Sequence, residues 1–197
     1  MDQAQNPVYV SKSDGLILVD LQNDFFPPNG ALAVQGGDEI IEPINRIMPM
    51  FFLIAATQDW HPRDHRSFRT QGGPWPVHCV QNTWGAKLHS ALQAEKIHIR
   101  ALTGQTPEAE GYSGFERTSL KDDLVKGNIK RVFITGLATD YCVKHTALDA
   151  LKYGFKTIVI EDLIRAVNVH TGDGERALAE IEGRGGEIVR SSQIRRE

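Results

Sequence analysis

The chain has 197 residues, 41% of them hydrophobic and 24% charged, with a formal net charge of −3. That length suits one domain (residues 1–197) around a single core, and the composition excludes fibrous and disordered classes. The charge shows none of the clustered Lys and Arg of a nucleic-acid binder, and the longest apolar stretch, residues 48–57, is too short to span a membrane. The N-terminal residues lack the basic and apolar regions of an export signal, and the two cysteines, Cys79 and Cys142, lie far apart. A cytoplasmic chain with reduced thiols is expected.

In chain order, short apolar runs alternate with stretches of helical character. The runs at 15–20, 52–57, 97–102, 131–136, 156–161 and 187–190 are nearly continuous, as strands buried on both faces are. Helices are predicted over 38–47, 119–126, 140–153 and 173–182. Thr139 is the expected N-cap of the third, with Gly154 just past its end, and Gly183 stands just past the fourth. The terminal Arg195, Arg196 and Glu197 are expected to be solvated. This alternation predicts a three-layer α/β/α fold with a central, mostly parallel sheet. Two irregular stretches, 59–87 and 103–116, are long enough to carry function. Ligands bind beyond the carboxyl ends of such strands. Four positions fall there: Asp20, Asp59, the Thr103 region and the 139–142 turn.

Three groups of residues carry chemistry. Asp59 and His61 are two apart, so in an extended segment they point the same way, and His78 can return through the Gly- and Pro-rich stretch 72–76. One acid and two imidazoles suit a divalent ion such as zinc, with iron or manganese also accommodated, and solvent-facing loop histidines are the alternative. Cys142 follows a strand and falls near a helix start, where free N–H groups favour a thiolate and can bind an oxyanion; a buried core cysteine is the plainer reading. Cys79 fits that plainer reading. Asp20 closes the first strand and is placed to exchange a proton with the thiol, or to cap a turn. Asp24 is expected to tie down the loop.

The segments LILVDLQNDFFPPNGALAV, ATQDWHPRDHRSF, GGPWPVHCVQNTWGA, EGYSGFERTSL and ITGLATDYCVKHTALDALKYGF, in this order and spacing, resemble the nicotinamidase/pyrazinamidase branch of the isochorismatase-like hydrolases over nearly the whole chain. The resemblance implies Asp20 and Cys142 as catalytic acid–base and nucleophile. Asp59, His61 and His78 become metal ligands, with His65 a further ligand or a group supporting them. Phe25 and Trp75 flank an aromatic ring and Tyr112 closes the pocket. A cis peptide between Leu137 and Ala138 aims the Ala138 and Cys142 N–H groups at an oxyanion. Implied with these are a small-molecule amide substrate (nicotinamide, with pyrazinamide as a possible second), a place in NAD salvage, and a homo-oligomer.

One family residue does not match. The branch carries a catalytic Lys upstream of the Tyr-Ser-Gly-Phe segment, and counting back from Tyr112 lands on Thr103, followed by Gly104. Three readings follow: Arg100 supplies the cation, the enzyme is weakened or silent, or Thr103 serves by hydrogen bonding. Isochorismatase proper and the carbamoyl-sarcosine and ureidoacrylate amidases lack the Asp-His-His set, which weighs against them. A non-catalytic relative that binds nicotinamide is the reading from a different class.

Overall fold

The computed structural model describes residues 6–197. Its strands are β1 (Val8–Val10), β2 (Asp14–Val19), β3 (Leu53–Asp59), β4 (Ile99–Thr103), β5 (Arg131–Leu137), β6 (Lys156–Arg165), β7 (Glu187–Val189) and β8 (Ile194–Arg196). Six of them form one parallel sheet in the order β4-β3-β2-β5-β6-β7. The helices are α1 (Ile41–Ile47), α2 (Leu120–Lys126), α3 (Lys144–Lys152) and α4 (Asp173–Gly183).

Strand alternation produces the three layers. Leu16 and Leu18 of β2 pack with Ile44 and Met48 on the α1 side. Ile17 and Val19, one residue out of phase, pack with Leu124, Ala147 and Ile181 from α2, α3 and α4. Both faces of β2 are therefore dry, and each fully buried aliphatic side chain contributes about 2 kcal/mol of transfer free energy. No helix among the described residues is long and apolar enough to cross a membrane.

Several boundaries differ from expectation for local reasons. β6 continues to Arg165 because its register with β5 shifts between Ile134 and Gly136, so the strand resumes pairing beyond an irregularity. The predicted helix 38–47 opens as a 3-10 turn, Gly37–Ile40, before α1 proper. The predicted helix 140–153 divides into a wide π-type turn, Thr139–Val143, followed by α3. Thr139 is not its N-cap. Ala138 occupies that position, and its carbonyl accepts from both Tyr141 N and Val143 N at 3.1 Å. Gly154 does follow α3 in the left-handed conformation (φ +86°) that a side chain would disfavour. α4 runs through Gly183, and Gly185 takes the left-handed position instead. The pairing of β1 with β8 was not foreseen. It orders the backbone of Arg195 and Arg196 while leaving their side chains exposed, with the Arg196 guanidinium 4.9 Å from the Phe52 ring centroid.

Candidate active site and metal centre

Four strands of the sheet, β4, β3, β2 and β5, lie side by side and are parallel, so their carboxyl ends open on one edge. Asp59 and Thr103 are the last residues of β3 and β4, Asp20 follows β2, and Cys142 sits in the turn after β5. All four side chains are buried.

Single ligand atoms of Asp59, His61 and His78 lie within 4.8 Å of one another. Asp59 Oδ2 is 3.3 Å from His61 Nε2 and 3.6 Å from His78 Nε2. His61 Nδ1 is 3.1 Å from the Gly104 carbonyl, and His78 Nδ1 is 2.8 Å from the Pro76 carbonyl. A carbonyl cannot donate, so each Nδ1 carries a proton and each Nε2 is left facing Asp59. Two imidazole nitrogens and a carboxylate oxygen at this separation form a donor set for a cation. A tetrahedral site with bonds of about 2.1 Å has ligand-to-ligand edges of about 3.4 Å, so the donor set fits a zinc-sized ion. His65 is not part of this set. It stacks on His61 with centroids 3.9 Å apart, and its Nδ1 is 2.7 Å from Ser67 Oγ. Its Nε2 is buried and without a hydrogen-bond partner among the described residues.

Burial and mutual repulsion govern the charges. Burial, then the Asp59 carboxylate, push the Asp20 pKa up to about 8, against the hydrogen bonds from Thr57 and Cys142 that favour its ionised form. Burial would raise Asp59 as well, but His61 and His78 hold it well below the usual carboxylate range. Burial opposes charge on His61, yet Asp59 outweighs it and raises that imidazole. Burial, then His61, depress His65 to about 4. Atoms of Asp20, Asp59 and Cys142 also fall within 4.8 Å of one another. Burial, then these two carboxylates, push the Cys142 thiol well above its ordinary pKa. The expectation that the helix start would favour the thiolate is corrected for the metal-free site: burial first, and the two acids after it, outweigh the turn's N–H groups.

A cavity lined among others by Asp59, His61, His78, Ala138 and Cys142 opens on this site. The aromatic residues named from the sequence meet there. Phe25 packs 5.7 Å from the His78 ring, and Trp75 Nε1 donates to the Tyr112 hydroxyl at 3.0 Å. The Leu137–Ala138 peptide is cis. Thr103 is paired with Asp59 across β3 and β4, and its hydroxyl lies 3.2 Å from Asp59 Oδ1 and 3.3 Å from the Gln58 carbonyl. Arg100 is exposed, which removes it as the cation, and no Lys or Arg is buried among the described residues. Cys79 is a core residue, and Asp24 ties two loops by accepting from Cys79 N at 2.7 Å and Ala31 N at 3.3 Å.

Sequence reasoning missed other contributors. Tyr141 lines the cavity and meets Trp75 edge-on at 4.8 Å; an aromatic residue next to the nucleophile was an available signal. Leu32 and Val167 also line it, and nothing local marks them. Val167 is held there because buried Asp140 accepts from Val167 N and Asn168 N at 3.0 and 2.8 Å.

Comparison with known proteins agrees with this geometry. A family model, the isochorismatase domain, matches residues 14–193. The chain is 40% identical over 195 residues to the nicotinamidase of Escherichia coli (strain K12), covering 86% of this chain and 91% of that one. The crystal structure of PnC1 from L. infantum in complex with nicotinate superposes with a TM-score of 0.93 at 40% identity, covering 97% of this chain and 100% of that one. The pyrazinamidase of Pyrococcus horikoshii in complex with zinc gives 0.83 at 46% identity, covering 90% and 99%. The chain belongs to the isochorismatase family of hydrolases, and within it to the nicotinamidase branch.

Proposed function

We propose that this chain hydrolyses nicotinamide to nicotinic acid and ammonia, within NAD salvage, through a thioester on Cys142, and accepts pyrazinamide as a second substrate. The observation that carries the proposal is convergence: Cys142, Asp59, His61 and His78 line one aromatic-walled cavity, and the Asp20 carboxylate lies within 4.8 Å of the Cys142 sulfur and an Asp59 oxygen. The substrate ring is held between Phe25 and Trp75, with Tyr112 closing over it. Asp20 takes the Cys142 proton as the sulfur bonds to the amide carbon, and the Ala138 and Cys142 N–H groups donate to the developing oxyanion. The C–N bond breaks, and Asp20 returns the proton to the departing nitrogen, releasing ammonia. Water then attacks the thioester while Asp20 takes its proton, nicotinic acid leaves, and Cys142 regains its hydrogen. A divalent ion on Asp59, His61 and His78 (zinc in our reading, with iron or manganese as alternatives) supplies an anchor for the pyridine nitrogen. Of the two roles open to His65, further ligand or support, we read it as the support for His61, on which it stacks.

Thr103 stands where the resemblance places the catalytic Lys, and we read the chain as an enzyme weakened by that replacement. A non-catalytic nicotinamide binder is the second reading, favoured by the lack of a buried basic side chain among the described residues and by the raised Asp20 pKa. We further read residues 1–197 as one cytoplasmic domain that forms a homo-oligomer. Ammonia release from nicotinamide by the purified chain, with and without a chelator and with Cys142→Ala, tests the proposal. Release that needs both the ion and Cys142 is expected. Release that survives Cys142→Ala refutes the thioester, and nicotinamide binding without any ammonia identifies a binder.

A further inference from the structure

The geometry points to Gln22 as the residue that positions the metal ligand Asp59 relative to the acid–base Asp20. This rests on the metal reading above. The backbone pairing of β2 with β3 ends at Leu18 and Ala56, because the main chain turns out of the sheet at Asp20, a non-glycine residue with φ +48°. Asp59 therefore has no neighbouring strand on its β2 side. The Gln22 side chain takes that strand's place. Its Oε1 accepts from Asp59 N at 2.7 Å, and its Nε2 donates to the Asp59 carbonyl at 2.7 Å. A carboxamide offers an acceptor and donors on one flat group, as a peptide does, so it continues the ladder by imitation. On the opposite side Asp59 pairs with Thr103 of β4, and Trp60 N donates to the Thr103 carbonyl at 2.9 Å.

The remaining Nε2 hydrogen reaches the Ala86 carbonyl at 2.9 Å, so both donors and the acceptor of the carboxamide are used. Gln22 is fully buried. Its own backbone N–H donates to the Asp20 carbonyl at 2.8 Å, closing the turn that carries the acid–base group. One residue thus binds the Asp20 turn through its main chain and the metal ligand through its side chain. It is absent from the cavity wall, so it acts through Asp59 rather than on substrate. Glu at this position keeps the acceptor but faces two carbonyls with an oxygen, and Met fills the space while removing the partner of Asp59 N and of the Asp59 carbonyl; the Ala86 carbonyl keeps Gln58 Nε2 at 3.1 Å.

The test is zinc affinity of the full chain, by competition with a chelator, for wild type, Gln22→Glu, Gln22→Met and the control Asn45→Ala. Asn45 makes a comparable pair of bonds far from the site, to the Ala91 carbonyl and Gln93 N. Both Gln22 variants are expected to bind zinc at least about tenfold more weakly, as loss of a ligand-supporting partner does. Asn45→Ala should lower the melting temperature and leave zinc affinity unchanged. Where a variant is unfolded without metal, the zinc concentration that drives refolding reads the same quantity, and its midpoint should rise by the same factor. Gln22 variants within twofold of wild type, or a control that loses as much affinity as they do, overturn the inference. A wild-type chain that takes up no zinc overturns the metal reading and this inference together.

Discussion

Introducing Lys at position 103 is expected to raise the rate of amide hydrolysis at pH 7 about tenfold. Burial and the nearby Asp59 place the Asp20 pKa at about 8, so the base form exists for about a tenth of the time at pH 7. Thr103 is the β4 partner of Asp59, whose carboxylate lies within 4.8 Å of Asp20 and Cys142 atoms. An ammonium carried there would contribute roughly 3 kcal/mol if it came within about 5 Å of Asp20, at an effective dielectric of about 20. That is a little over two pKa units and brings Asp20 to about 5.5, where it is almost fully ionised at pH 7. The gain in competent base is therefore about tenfold, the low end of what a positioned acid–base group supplies. A divalent ion on Asp59 acts in the same direction, so the two proteins are compared at equal metal content. The assay is kcat/KM for nicotinamide, read as ammonia release from about pH 5.5 to about pH 9. The rate of wild type should still be climbing with pH where Thr103→Lys, roughly two units lower, has already reached its plateau. An unchanged rate with an unchanged pH profile would refute both the alignment of this loop and the electrostatic reasoning.

Three other outcomes test different contacts. Gly104→Ala places a Cβ 2.3 Å from His61 Cε1 and Nδ1 at φ +61°, so His61 must move; zinc affinity and melting temperature should both fall, and calorimetry with zinc titration measures them. In the metal-free protein, Asp20 has a folded pKa raised from 3.8 to about 8, so its stabilising contribution is complete below about pH 4 and is lost as pH rises through about 8. Asp20→Asn has no such loss, and its melting-temperature advantage over wild type should be larger at about pH 8 than at about pH 5. Trp75→Phe removes the donor to the Tyr112 hydroxyl while keeping an aromatic wall, a loss of about 1 kcal/mol that should raise KM about fivefold with little change in kcat. A kcat that falls in proportion would show that Trp75 does more than wall the ring and hold Tyr112.

Much of the site was legible because it follows from periods and punctuation. Asp59 and His61 share a direction because they lie two apart at a strand end, and both retain it in the structure, with Nε2 and Oδ2 3.3 Å apart. The return of His78 was readable from the turn formers before it, and Cys142 from the strand-to-helix switch around it. The sheet was readable because buried parallel strands appear as continuous apolar runs. The misses share a cause too. β1 and β8 are three residues each and find one another from opposite ends of the chain, so neither carries a periodic signal. The π-type turn around Cys142 depends on one carbonyl accepting two N–H groups, a backbone choice with no side-chain signature.

Residue types and spacing alone determined the layers, the strand ends that would converge and the donor atoms brought there, since these depend on local geometry repeated along the chain. Distances across the chain decided everything electrostatic. Asp20 becomes a weak acid because Asp59 is beside it in the dry interior, and Arg100 is excluded because its side chain faces solvent. Gln22 acquires a role only because the main chain leaves the sheet where Asp59 still needs a hydrogen-bonding neighbour. Charge and hydrogen-bond pairing act over a few ångströms through space, and only folding makes remote residues neighbours at that range.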